Sequence, residues 1–180
     1  MPLLNSVTTP YAEAFLQVAN DLNQTEEIVS QSKEIIDLVS QSSQLNKALS
    51  SPILEKESKK KIIIQLFSDK INQSLLNLLK LLADRQRIGI LVPILERFLE
   101  LYRENSNIAL ATVTSAVELS KEQKELITKK ISAIAGTEKL ELVTKIDPNL
   151  IGGFVASVGS KVIDASLASQ IRKLGLSLSK

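Results

Sequence analysis

From Thr9 to about Tyr102, apolar residues recur every three or four positions, the period of helices that bury one face. The pattern predicts six of them. The first follows Thr9 and has Pro10 at its opening position, where the missing N–H would have no helical acceptor in any case. The second covers about Thr25 to Ser40 and lines up Ile28, Ile35 and Val39 on one stripe; a short third covers Leu45 to Leu49. A fourth begins after Pro52 in "SSPILEKESKKKIIIQLF" and a fifth lies in "INQSLLNLLKLLADRQR". The sixth, "ILVPILERFLELYRE", follows Gly89 and begins near Pro93. Short connections between such helices read as a bundle of roughly 100 residues.

The period changes after "RENSNIA", where Asn105, Ser106 and Asn107 interrupt the helical spacing. "NIALATVTSAV" alternates and is rich in β-branched residues, which predicts a strand. "SKEQKELITKKISAIAG" predicts a helix: Ser120 and Gln123 have capping-box spacing and Gly136 sits at the C-terminal cap position. "KLELVTKID" alternates again, with Leu140, Leu142, Thr144 and Ile146 on one face, and Asp147-Pro148-Asn149 is a turn. The chain thus reads as two modules: residues 1–105 an N-terminal six-helix bundle, and residues 106–180 a small α+β domain of order β-α-β-β-β-α. That domain includes a β-hairpin and a terminal helix.

Four of the six glycines fall within "LIGGFVASVGSKVIDASLASQIRKLG", residues 150 to 175. Gly159-Ser160-Lys161 there hints at a phosphate loop. Such a loop needs two glycines with four residues between them, then Lys and Ser or Thr, opening directly into a helix. Here five residues lie between Gly153 and Gly159, Ser precedes Lys, and "VID" is strand-like. A hairpin fits better. Phe154, Ala156 and Val158 form one face of a strand, Gly159-Ser160 a two-residue reversal, and Lys161 to Ile163 the return strand. Gly152-Gly153 suits a bulge or a close backbone approach.

Composition narrows the chemistry. Aromatic residues make up 3% of the chain and hydrophobic residues 44%, so the core is aliphatic. With neither histidine nor cysteine, disulfides, thiolate zinc sites and every Ser-His or Cys-His pair are excluded. Any catalysis would rest on carboxylates, Lys or Tyr. The net charge of +2 is too balanced for a dedicated nucleic-acid binder. Residues 1–105 carry 12 basic and 13 acidic groups, net −1; residues 106–180 carry 10 and 7, net +3. The start, "MPLLNSVTTPYAEAF", has neither a basic region leading into an apolar core nor an Arg-rich transit pattern. Charges at Lys80, Asp84, Arg85, Arg87, Glu96 and Arg97 break the most apolar region, so no stretch spans a membrane and a cytosol-like compartment is expected. The basic cluster Glu55 to Lys61 reads as a solvated helix face, with Glu55 and Glu57 partly offsetting Lys59 to Lys61. Glu55/Glu57 and Glu122/Glu125 read as solvated carboxylates, and Tyr11 and Tyr102 as packing residues with wet hydroxyls.

The C-terminal stretch resembles the signature of the delta subunit of F-type ATP synthases, whose mitochondrial counterpart is the oligomycin-sensitivity-conferring protein. Its elements are Gly152-Gly153 after an aliphatic pair, the hairpin Gly159, "VIDASL" with Asp164, and a terminal helix with Ile171, Arg172 and Leu174. The resemblance extends along the whole chain. "TPYAEAFLQVA", "LLADRQRIGILVPILERFLELY" and "ATVTSAVELSKEQ" look like the family's first helix, its fifth-to-sixth connection and its opening strand. It implies a non-catalytic stator subunit without cofactors. The helical domain would cap the catalytic head and the C-terminal domain would meet the b-type subunits of the peripheral stalk. Membrane association would come only through the complex, at the cytoplasmic or stromal face of a thylakoid or, alternatively, a bacterial plasma membrane. The competing reading is a soluble enzyme using carboxylates or Lys161 on a nucleotide or phosphate.

At ~100° per residue, the segments 9–22 and 71–85 each carry apolar residues over an arc of roughly 200°, twice what one buried face needs. The surplus means central placement or an apolar groove. In the family that the chain resembles, a groove between the first and fifth helices receives the N-terminal helix of an alpha subunit. The expected anchors are Tyr11 and Phe15 on one wall and Leu75, Leu79 and Leu82 on the other, with Ala14 and Val18 permitting close approach.

Overall fold

The computed structural model describes residues 2–136, 139–159 and 161–178, and their side chains except those of 2–4, 134, 135 and 173–178. Six α-helices come first: α1 (Pro2–Asp21), α2 (Thr25–Gln41), α3 (Ser43–Ser50), α4 (Lys56–Phe67), α5 (Gln73–Asp84) and α6 (Leu91–Asn105), with a 3₁₀ turn at Ile88–Ile90. Then follow β1 (Ala109–Ser115), α7 (Lys121–Ala135), β2 (Leu140–Ile146), β3 (Phe154–Val158), β4 (Lys161–Asp164) and α8 (Leu167–Leu178). Contacts divide the chain into two units, the first ending at Tyr102 and the second beginning at Arg103. Arg103 pairs with Glu141 of β2 at 2.8 Å within the second unit.

Two helix starts differ from the sequence pattern, each for a local reason. Helix α1 begins at Pro2 and runs through Pro10. Thr8 is buried, and with Ala12, Phe15, Leu16 and Ala19 it continues one interior face back past the proline. Packing of that face offsets the ~3 kcal/mol that an interior proline costs. Helix α4 begins at Lys56 rather than after Pro52, because the Ser51 hydroxyl accepts the Ile53 N–H at 3.2 Å and holds the chain in a turn. Helix α6 begins at Leu91, so Pro93 falls within its first turn. Polar groups of α2 fix the start of α5. Gln31 accepts the Asn72 N–H at 2.7 Å, and the Asn72 side chain accepts the Ser74 N–H as the N-cap. The core between the helices is aliphatic but for a few rings, notably Phe15 and Phe98, 5.1 Å apart and tilted by 49°.

The second unit is a four-stranded sheet of order β2-β1-β3-β4. Strands β1 and β2 are parallel and joined through α7; the β1–β3 and β3–β4 pairs are antiparallel. Ala111, Val113 and Ala156 of the sheet close on Ile127 and Ile131 of α7. Both ends of α7 are capped as its sequence predicts. Ser120 and Gln123 exchange hydrogen bonds at 3.0 and 3.2 Å, and Gly136 takes φ +71°. On β2 only Leu140 and Leu142 of the predicted face pack into this core. Thr144 and Ile146 are exposed, since β2 is an edge strand and its second half extends past the core.

Candidate partner-binding surfaces

The glycine-rich stretch forms a structural clasp. Gly153 has φ +77°, and a Cβ there would collide with the carbonyl of Ala165. A Cβ on Gly152 would lie 2.6 Å from the end of Leu167. That closeness lets the Leu167 N–H donate to the Gly152 carbonyl and the Ala165 N–H to the Phe154 carbonyl, both at 3.0 Å. Asp164 then turns the chain into α8: its carboxylate accepts from the Ser166 N–H at 2.9 Å and the Ser169 hydroxyl at 2.5 Å. Gly159 takes φ +55° between β3 and β4, where Val158 pairs with Lys161. Its expected partner in the reversal, Ser160, lies outside the described residues, as does the side chain of Leu174. The residue after that turn, Lys161, enters a strand, so no helix N-terminus faces Gly159 to hold a phosphate.

The expected groove anchors separate into two groups. Phe15, Leu75, Leu79 and Leu82 are buried in the core of the first unit, so they are not the walls of an open trough. Helix α5 is in contact with both α1 and α4, and this central placement accounts for the breadth of its apolar arc. Periodicity measures how wide such an arc is, but not which neighbour covers it. Tyr11, Ala14 and Val18 form an i, i+3, i+7 stripe at the surface of α1, with Val18 44% exposed. Nearby on α5, Leu81 is equally exposed. A hollow of about 410 Å³ is lined by Tyr11, Leu81, Arg85 and Arg87. Arg87 donates to the Tyr11 hydroxyl at 3.0 Å and lies 5.7 Å from the ring centroid, a contact that fixes the ring at the rim. The surface is therefore a narrow apolar stripe with a basic end. The sequence pattern did not single out Leu81 or the two arginines, because the turn after α5 brings the arginines to α1.

The second unit carries another apolar surface. A cleft of about 470 Å³ opens between the β1–α7 loop, α7 and the segment ahead of β3. Val117, Leu126 and Ile151 line it at 69%, 61% and 79% exposure. Three separate segments supply these residues, so no local period announces them.

The basic cluster departs from the expected solvated face. Lys59 is buried, and Lys60 reaches Asp84 at 2.5 Å. The hydrogen bond to Asp84, the largest influence, raises the Lys60 ammonium above the ordinary lysine value. Glu55, Glu57, Glu122 and Glu125 are exposed on or beside α4 and α7. Tyr102 packs half-buried against the first core. Among the described residues, no helix is long and apolar enough to cross a membrane.

Comparison with known proteins points to one family. The model of the ATP synthase delta (OSCP) subunit family matches residues 7–178. The chain is 79% identical over 180 residues to ATP synthase subunit delta of Prochlorococcus marinus strain AS9601, covering 100% of both chains. It is 58% identical to the subunit delta of Prochlorococcus marinus strain MIT 9303, covering 100% of this chain and 99% of that one. Its fold matches a chain of the Toxoplasma gondii mitochondrial ATP synthase hexamer with a TM-score of 0.71 at 20% identity, covering 96% and 97% of the two chains. A family match over residues 7–178 and a relative 79% identical over the whole of both chains agree: the chain belongs to the ATP synthase delta (OSCP) subunit family.

Proposed function

We propose that this chain, a non-catalytic stator component of an F-type ATP synthase, works as a joint with one partner on each unit. The six helices of the first unit cap the catalytic head, and the surface stripe Tyr11–Ala14–Val18 with Leu81 receives the N-terminal helix of an alpha subunit. The second unit meets the b-type subunits of the peripheral stalk, for which the cleft at Val117, Leu126 and Ile151 is the apolar surface available. The whole works as a peripheral protein on the cytoplasmic or stromal face of a thylakoid membrane, carried there by the complex. The observation that carries the head-side reading is the exposed i, i+3, i+7 stripe, whose spacing suits an amphipathic helix laid along it. Arg85 and Arg87 at one end favour a partner helix with acidic residues at that end, which sets its direction.

The test is titration of an alpha-subunit N-terminal peptide against full-length protein. Val18→Asp and Leu81→Asp each place an unpaired charge in the contact and weaken binding by about 2 kcal/mol or more, ~30-fold, with melting temperature unchanged. Phe15→Ala lowers stability by about 3–5 kcal/mol because it opens a cavity beside Phe98. Wild-type affinity in both Asp variants would refute this placement.

A further inference from the structure

We infer that the open edge of the sheet is an interface for a second copy of this chain, which adds its own β2 antiparallel to the first. Strand β2 ends the order β2-β1-β3-β4, so one side of it meets no strand among the described residues. Val143, Thr144, Lys145 and Ile146 are all exposed, Ile146 at 59%. An edge that carries bare apolar side chains is a template for strand addition.

The backbone fixes which groups point outward. The Lys139 carbonyl accepts the Ala109 N–H at 3.0 Å, and the Asp147 N–H donates to the Ser115 carbonyl at 2.9 Å. Odd-numbered residues from 139 to 147 therefore direct their backbone groups at β1. The alternation of the strand turns those of Leu140, Leu142, Thr144 and Ile146 the other way. A second β2 can pair only in registers that set even-numbered residues opposite even-numbered ones.

Charge selects one of these registers. The odd positions of β2 and its flanks are Lys139, Glu141, Val143, Lys145 and Asp147, a pattern in which the charges on either side of Val143 are opposite in sign. With Val143 facing Val143 of the second copy, Glu141 faces Lys145 and Lys139 faces Asp147, each twice by symmetry. Opposite charges so placed stabilise a strand pair. Centring the pair on Leu142 instead sets Lys139 against Lys145, and centring it on Thr144 sets Glu141 against Asp147. Both are repulsive. The favoured register also lays Leu140 over the exposed Ile146. Arg103 already holds the Glu141 carboxylate at 2.8 Å, which reduces the ordering that pairing requires. One pair of short strand edges buries less than the ~1,200 Å² of a standard interface, so the dimer is weak, with a Kd on the order of 10–100 µM.

The test is sedimentation equilibrium of the full chain from about 1 µM to about 1 mM, at low and high salt. Expected is a reversible dimer that salt weakens. Thr144→Pro removes an outward donor without touching the ladder to β1, so it weakens dimerisation ~10-fold or more while circular dichroism is unchanged. Lys145→Glu sets like charges opposite each other and has the same effect; it carries the test if the proline variant fails to fold. The chain has no cysteine, so introduced thiols report the register. Across the central pair the Cα atoms lie about 4.5 Å apart, within disulfide reach, and oxidation cross-links Val143→Cys. Lys145→Cys, which faces Glu141 of the second copy, does not cross-link. A monomer throughout that range, a dimer indifferent to both Thr144→Pro and Lys145→Glu, or equal cross-linking of the two cysteine variants overturns the proposal. So does a monomeric wild type whose Leu142 and Thr144 amides gain protection when b-type stalk subunits are added, since the edge then belongs to the stalk.

Discussion

At the scale of single residues, two of the three left-handed glycines of the second unit, Gly136 and Gly153, make different demands. Gly136 needs only its positive φ, with open space around the missing Cβ, whereas Gly153 needs both its φ and the empty space against the Ala165 carbonyl. Gly136→Ala should therefore cost about 1 kcal/mol and Gly153→Ala about 3 kcal/mol. Denaturant unfolding of the full chain checks this, and equal losses would mean that the segment around Ala165 yields. Lys60 offers a pH test. Its ammonium is raised above the ordinary value of 10.5 by Asp84, so the pair's contribution to stability is complete below 10.5 and is lost as pH rises through the folded value above it. The stability difference between wild type and Lys60→Met should be constant near neutrality and vanish in strong alkali. A difference that persists there would come from packing of the lysine stem.

At the scale of elements, the clasp between β3, β4 and α8 is held by Asp164. Its carboxylate accepts the Ser166 N–H and the Ser169 hydroxyl, and so holds Ser166 where its own hydroxyl, the cap of α8, accepts the Ser169 N–H at 3.3 Å. Asp164→Ala should cost about 1–2 kcal/mol. Hydrogen exchange should then quicken in α8 and β4 and leave α7 protected, since α7 has its own Ser120–Gln123 capping box. Uniform quickening across the second unit would show that α8 is part of its core rather than an appended element. The capping box was legible in the sequence because both its partners lie within one turn. The role of Asp164 in the turn to α8 was not, since the "VIDASL" pattern carries no helical period before Leu167.

At the scale of the whole molecule, the chain divides into two units, the second beginning at Arg103. Asn105 and Asn107 are exposed, and Asn107 takes φ +53°. A protease acting at 105–107 should release a helical fragment of the first unit and leave the sheet of the second intact. Mass spectrometry of the products decides, and prior cleavage within α1–α6 would deny the first unit its independence. Few contacts across a boundary make a site of early nicking, and a polar turn with positive φ is its local mark.

The sequence by itself determined the order of elements, their periods and the caps of α7, because these depend on residues one to four positions apart. It also determined the absence of a phosphate loop, through the spacing of Gly153 and Gly159 and the strand that follows. Tertiary structure decided what covers each apolar face. Leu75, Leu79 and Leu82 have the same pattern as groove residues, and only the packing of α5 against its neighbours shows them to be core. The same holds for Lys59: its local sequence is that of a solvated face, and only the packing of the first unit buries it. Burial is a property of neighbours distant along the chain, and no local period records it.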